Sequence, residues 1–150
     1  MKKELKNRKR TLSRLMTVQI FYQYEFFEKK QNLDEIKENL IENYVLFEGE
    51  EPQSYHDKID KNLINNLLNS IANEIAEIDE NILNLQNNSQ KIDNVARQII
   101  RFATLELKLF QDIDFKIIIN EYVDIAAHFF SETKVSFINS ILNNLAQKYR

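Results

Sequence analysis

Glycine and proline each occur only once in this chain of 150 residues, and they lie close together, at Gly49 and Pro52. Tight β-turns and glycine-rich phosphate-binding loops both depend on these residue types. Turn-rich β architectures and glycine-dependent nucleotide sites are therefore effectively excluded. Elsewhere the apolar residues recur at the spacing of an α-helix. The sequence predicts an all-α fold, in which residues 48–52 form a loop.

The periodic segments predict six helices joined by short polar connections. Their expected ranges are 9–28, 33–47, 57–83, 91–110, 115–130 and 132–149. A polar run at residues 86–89 separates the third helix from the fourth. We therefore expect two packed three-helix bundles that form one domain over residues 1–150. The expected N-caps of the second, fifth and sixth helices are Asn32, Asp114 and either Ser131 or Thr133.

Composition excludes several classes of protein. The chain has no cysteine, so it has no disulfide and no thiolate metal site. Its start is too polar for a secretory signal peptide, and no apolar run approaches the roughly 18 residues of a membrane span. We expect a cytoplasmic protein that has no cofactor and no membrane partner.

Positive charge is concentrated at the beginning of the chain. The first fourteen residues contain seven Lys or Arg and one Glu, whereas the whole chain has a net charge of −3. These basic residues run directly into the first predicted helix and do not form a detached tail. A dense positive patch on an otherwise acidic body favours a polyanionic partner, because it displaces condensed counterions from a phosphate backbone.

The first predicted helix has two distinct faces. Its apolar arc consists of Leu12, Leu15, Met16, Ile20, Tyr22, Phe26 and Phe27. Arg10, Arg14 and Phe21 project from the opposite side. Such a face suits single-stranded RNA, because cations contact phosphates and an aromatic ring stacks on an unpaired base. Equally, the cations would solvate the helix while Phe21 packs against a neighbour, and the spacing leaves both interpretations open.

Three polar residues fall inside apolar stripes. Gln19 and Gln23 lie in the arc of the first helix, and Glu106 lies in the stripe of the fourth. Buried amides and carboxylates need hydrogen-bonding partners. We therefore interpret all three as structural groups. The polar face of the fourth helix is expected to consist of Arg97, Arg101, Thr104 and Lys108.

The last predicted helix carries an aromatic residue outside its apolar stripe. Phe137 follows Ser136 and lies near Lys134, off the stripe. It is a candidate for stacking on a nucleic-acid base. A ring packed against another helix would give the same pattern, so both roles stay open.

Catalytic chemistry finds little support in the residues. His56 and His128 are isolated and lack the ligand spacing of a zinc site. Without cysteine a nucleophile would be Ser, Thr or Lys, and no residue is marked out for that role. We expect no enzymatic activity, no catalytic residue and no bound metal.

Three motifs, taken in chain order, resemble those of a known protein family. The first combines arginine-rich residues 10–14 with Val-Gln-Ile-Phe-Tyr at residues 18–22. The second, at residues 99–107, is similar to the family's Leu-Arg-x-Ala-x-Tyr-Glu-Leu. The third is similar to Ile-Asn-Glu-Ala-Val-Glu-Leu-Ala at residues 119–126 and to Phe-Val-Asn-Gly-Val-Leu at residues 137–142. In this order and at this spacing they resemble the NusB family of bacterial transcription antitermination factors.

This resemblance covers roughly residues 8–150 and implies a helical fold of two three-helix bundles. It also implies binding to boxA-type single-stranded RNA of ribosomal RNA leaders together with NusE, a small-subunit ribosomal protein. Other Nus factors and RNA polymerase would be indirect partners. The positions that match the family's RNA side are Arg10, Arg14, Tyr22, Phe137 and Asn139. Lys9, from the basic run, and Phe21, from the face of the first helix, complete the RNA-binding candidates.

The chain departs from the family at two positions that are often basic there. Ala127 and Ser136 stand at these positions, and the change is expected to weaken the C-terminal part of the RNA site. The basic run near the N-terminus is expected to compensate through less specific phosphate contacts. It consists of Lys2, Lys3, Lys6, Arg8 and Lys9.

Two alternative functions fit the same residues. One is a related RNA-binding module of the kind fused to some RNA cytosine methyltransferases, although a chain that ends at Arg150 leads us to expect no such fusion. The other is a helical protein–protein adaptor whose basic start only aids solubility. Salt dependence separates the classes, because RNA binding weakens steeply with salt and an apolar helix interface does not.

Overall fold

Six α-helices are defined in the part of the chain that the structure describes. This computed structural model describes Leu5, residues 8–85 and residues 92–150. The helices are α1 (Lys9–Phe26), α2 (Leu33–Glu42), α3 (Lys61–Leu85), α4 (Asn94–Leu109), α5 (Phe115–Phe129) and α6 (Glu132–Tyr149). No β-strand occurs within these residues, so the predicted all-α fold is confirmed. None of the described helices is long and apolar enough to cross a membrane.

Side chains at several helix starts accept hydrogen bonds from first-turn amides. Asn32 accepts two such bonds in α2, of 2.8 and 3.2 Å, and Asp114 accepts one of 2.9 Å in α5, as predicted. Asp93 performs the same role for α4 at 2.9 Å. These caps satisfy N–H groups that have no partner inside the helix. Ser131 precedes α6 but makes no side-chain cap hydrogen bond.

The connection between α2 and α3 differs most from the prediction. α2 ends at Glu42 and not at residue 47. Tyr44 leaves the helix because it exchanges two backbone hydrogen bonds with Gln53, of 2.8 and 3.0 Å, in an isolated antiparallel bridge. α3 begins at Lys61 and not at residue 57. Asp60 caps the helix there, because its carboxylate accepts a hydrogen bond of 3.1 Å from the first-turn amide of Leu63.

The chain divides into two compact units, residues 1–68 and residues 69–150. The boundary falls within α3, and the predicted break at residues 86–89 lies outside the described residues. In the first unit α1 packs against α2. The buried apolar side chains of these two helices include Leu12, Leu15, Met16, Ile20, Ile36 and Ile41. Assembly of the chain as one domain of two three-helix bundles stays a prediction.

In the second unit α4, α5 and α6 pack against one another. Polar contacts attach α3 to α4 and α6 within this unit. Lys108 of α4 donates to the carboxylates of Glu74 and Glu77 on α3, and these hydrogen bonds hold the pKa of Lys108 above its ordinary value. Asn81 of α3 donates to the hydroxyl of Tyr149 on α6.

Candidate nucleic-acid interface

The basic start of α1 is exposed where the structure describes it. Lys9 and Arg10 in the first turn are both exposed, and Arg8 just before them is half-buried. The remaining basic residues of the N-terminal run, Lys2, Lys3 and Lys6, lie outside the described residues. No acidic residue occurs in the first turn of α1, and the helix dipole itself favours anions at this end. Lys9 and Arg10 therefore present a cationic surface that attracts anions.

Burial of Arg14 and Phe21 corrects the predicted basic and aromatic face of α1. Both residues are only 5% exposed. Every residue from 11 to 18 is buried, so this part of the helix is covered on all sides and not only along its apolar arc. Helical periodicity identifies the more apolar side, but it does not tell whether the opposite side also meets protein. Of the three residues predicted on that face, Arg10 is the one that projects into solvent.

Polar residues within this buried stretch bond to backbone groups. The Ser13 hydroxyl donates to the carbonyl of Lys9 at 2.8 Å and accepts from the amide of Asp60 at 2.7 Å. The Thr17 hydroxyl donates to the carbonyl of Ser13 at 2.8 Å. Such bonds offset the desolvation of buried hydroxyl groups. The bond between Ser13 and Asp60 also attaches α1 to the residue that caps α3, and so positions the basic start within its unit.

The aromatic end of α1 is more open than its spacing predicts. Phe26 is 63% exposed and Phe27 is 41% exposed, although both belong to the predicted apolar arc. α1 ends at Phe26, two residues early, so Phe27 no longer follows the helical spacing. Tyr22 is half-buried, and its ring stacks on Phe26 with 6.1 Å between centroids. Tyr22 therefore keeps part of its surface accessible.

The two glutamines of α1 are half-buried. Gln19 accepts a hydrogen bond of 2.6 Å from the Tyr44 hydroxyl. Burial raises the pKa of Tyr44, so its phenol stays neutral and can donate. Tyr44 also pairs with Gln53 in the antiparallel bridge. The hydrogen bond therefore links Gln19 on α1 to that bridge, which supports the structural role predicted for Gln19. Gln23 lies one turn further along the helix.

The C-terminal RNA-binding candidates lie on α6, in the second unit. Phe137 is half-buried and Asn139 is exposed. The side-chain and backbone carbonyls of Asn139 both accept from the Asn143 amide group, at 3.3 and 2.9 Å. α6 thus presents part of an aromatic ring and a polar amide at its surface. The half-burial of Phe137 is compatible with both roles that its position predicts.

An ion pair lies beside this part of α6. Lys134 Nζ contacts Oδ2 of Asp93 and lies 5.1 Å from the centre of the Phe130 ring. Partial desolvation alone would raise the pKa of Asp93. Hydrogen bonds from the Ala96 amide and from Lys134 outweigh that effect and hold the pKa below its ordinary value. Lys134 and Asp93 are 41 residues apart in the chain, so no local sequence pattern predicts their contact.

Glu106 is a buried acid that joins two helices. It lies in α4, has no exposed surface, and accepts a hydrogen bond from the hydroxyl of the equally buried Tyr122 in α5. A carboxylate removed from water requires such donors. The contact therefore supports the structural role predicted for Glu106.

The polar face predicted for α4 is wrong at Arg101 and Thr104. Both are buried, and every residue from 98 to 107 is buried as well, so α4 resembles α1 in being covered on all sides. Arg101 donates to both carboxylate oxygens of Asp79 on α3, at 2.8 and 2.7 Å. This bidentate geometry is specific to arginine and compensates for the burial of its guanidinium.

Both histidines contact neighbouring side chains. His56 contacts the carboxylate of Glu42, and the ring of His128 meets that of Phe129 edge-on at 5.1 Å. Among the described residues, no group of three or more His, Asp or Glu side chains could hold a metal ion. The candidate RNA-binding residues with accessible surface are cations and an aromatic ring on α1 in the first unit, and an aromatic ring and an amide on α6 in the second.

Comparison with known proteins identifies relatives. A profile of the NusB family matches residues 11–147. Transcription antitermination protein NusB of Rickettsia bellii is 30% identical over 143 residues, which cover 93% of this chain and 91% of that protein. The protein of the same name from Shewanella frigidimarina is 32% identical over 92 residues, which cover 61% and 69% of the two chains. A solved structure of T. maritima NusB has a TM-score of 0.71 at 23% identity over 93% of this chain and 91% of that one, so it shares the fold.

Proposed function

Because this chain belongs to the NusB family, we propose that it binds boxA-type single-stranded RNA of ribosomal RNA leaders together with NusE. The family consists of non-catalytic transcription antitermination factors, so the chain is an antitermination factor and not an enzyme. Family members function in antitermination complexes with RNA and Nus factors. In our proposal the other Nus factors and RNA polymerase are indirect partners, and the complex assembles in the cytoplasm.

The observation that carries this proposal is the exposure of Lys9 and Arg10 at the start of α1. Two adjacent cations, with no acidic residue in the same turn, suit the closely spaced phosphates of an RNA strand. The net charge of −3 does not cancel this attraction, because salt screens charges that lie more than about 10 Å away.

The remaining candidate residues divide by accessibility. Tyr22, Phe137 and Asn139 have accessible surface, and we propose that they contact bases. Arg14 and Phe21 are buried, so we assign them to the support of α1 and not to direct RNA contact.

The test measures the affinity for a fluorescent boxA-like single-stranded RNA over a range of salt concentrations, with and without NusE. The double variant Lys9→Ala, Arg10→Ala should bind more weakly. Its plot of log affinity against log salt should flatten by about 0.7 for each lost phosphate contact. An unchanged slope would show that these cations do not contact phosphate.

A matched control uses a lysine beyond the other end of the same helix. Arg10→Ala and Lys30→Ala each remove one exposed positive charge. The far end of α1 lies about 24 Å from Arg10 at a rise of 1.5 Å per residue. Lys30→Ala should therefore leave both affinity and salt slope close to those of the parent protein.

The exposed Phe26 and Phe27 favour a second candidate function, that of a helical protein–protein adaptor. An adaptor would bind NusE with weak salt dependence and would not bind RNA.

A scrambled RNA of equal length tests whether binding depends on the boxA sequence. Binding that is equal for both RNAs would exclude boxA recognition and leave only phosphate attraction.

A further inference from the structure

We propose that Lys134 is an additional phosphate-binding residue of the RNA site, and that Asp93 occupies it until RNA displaces the carboxylate. This inference rests on the proposed RNA-binding function and extends its C-terminal part. Ser136, next to Phe137, carries no charge, whereas Lys134 places a cation three positions before Phe137.

Lys134 is placed to act together with Phe137. Residues three positions apart on a helix share a face, with about 5–6 Å between their Cβ atoms. The Lys134 ammonium lies at the end of a flexible four-carbon stem, so it can reach the phosphate of a nucleotide whose base stacks on Phe137. The Lys134 ammonium also lies 5.1 Å from the centre of the Phe130 ring, within the range of a cation–π contact.

The ion pair of Lys134 and Asp93 is accessible enough to solvent for a phosphate to replace the carboxylate. Their side chains are 34% and 42% exposed, respectively. Ion pairs this accessible to water contribute little to stability, so little opposes the replacement of carboxylate by phosphate. The pair of Arg101 and Asp79 differs, because the Arg101 side chain is only 8% exposed and donates two hydrogen bonds to the Asp79 carboxylate.

Asp93 has a second role as the N-cap of α4. A mutation can therefore remove its negative charge and keep its cap hydrogen bond. Its Oδ1 caps α4 by accepting from the Ala96 amide, while its Oδ2 contacts Lys134. Asparagine is as good an N-cap as aspartate. Asp93→Asn should therefore preserve the start of α4 and release Lys134. An unchanged melting temperature would verify that the fold is intact.

The experiment measures affinity for the boxA-like RNA in Asp93→Asn, Lys134→Ala and the double variant. Asp93→Asn should bind about two- to fivefold more tightly at low salt, which is the scale of an exposed ion pair. Lys134→Ala should bind more weakly and flatten the salt slope by about 0.7, the loss of one phosphate contact. The gain from Asp93→Asn should shrink by at least half in the Lys134→Ala background.

Each alternative gives a different result. An equal gain from Asp93→Asn in both backgrounds would mean that Asp93 only repels RNA, and would overturn the inference. An unchanged affinity and slope in Lys134→Ala would overturn it as well. Glu132→Gln is the matched control, because it removes an exposed carboxylate two residues from Lys134 and should have a smaller effect. A parent protein that does not bind the RNA would instead refute the proposed function, and the inference with it.

Discussion

Loss of the contact between Glu106 and Tyr122 should destabilise the protein without acting on the RNA site directly. The carboxylate accepts from the phenol between α4 and α5, and neither residue has exposed surface. Water therefore cannot replace a partner that a mutation removes. Glu106→Ala leaves the Tyr122 hydroxyl without this acceptor, and Tyr122→Phe leaves the carboxylate without this donor.

The expected magnitude follows from that burial. A buried polar group left without its partner costs about 1–3 kcal/mol, and the cost lies toward the upper end for a charged group. We expect each variant to lose about 2 kcal/mol of unfolding free energy, with an added cavity cost for Glu106→Ala. In a chain of this length such a loss lowers Tm by about 4–8 °C. Glu106→Gln keeps the side-chain length and an acceptor oxygen, so it should retain most of the stability.

Urea unfolding, thermal melting and RNA affinity should be measured on the same preparations, with affinity expressed per folded molecule. Glu132→Ala serves as the control, because its exposed carboxylate should contribute within about 0.5 kcal/mol. The structural interpretation predicts low stability and normal affinity for Glu106→Ala. A variant that melts like the parent protein but no longer binds RNA would refute it.

Two further predictions concern the second unit. Phe137→Ala should weaken RNA binding by about 1–3 kcal/mol with little change in Tm if the half-buried ring stacks on a base, whereas Phe137→Tyr should bind nearly normally. A Phe137→Ala variant with intact affinity and a loss of about 3–5 kcal/mol of stability would instead identify a packing role. The lowered pKa of Asp93 means that its ionised form stabilises the native state above the unfolded value of about 3.9, and this contribution is lost as pH falls through the lower folded value. An NMR titration of the Asp93 carboxyl should therefore show a midpoint below 3.9 that rises in Lys134→Ala, and an ordinary midpoint would contradict the contact.

Local features of the sequence determined the secondary structure. A single glycine, a single proline and continuous helical spacing predicted the all-α fold, and the caps at Asn32 and Asp114 lie where their residue types indicate. These features were predictable because capping and helical periodicity involve residues within a few positions of one another. The end of α2 was not predictable, because it depends on pairing between Tyr44 and Gln53 across a loop.

Tertiary structure alone decided which polar residues are accessible. Arg10, Arg14 and Phe21 share one predicted face of α1, yet Arg10 is exposed and the other two are buried. Arg101 was predicted on a polar face and is instead buried, paired with Asp79 twenty-two residues away in the chain. Periodicity reports which side of a helix is more apolar, whereas burial depends on whatever distant segments pack against the other side. The same limit applies to the contact of Lys134 with Asp93, because helical periodicity does not relate residues that lie 41 positions apart.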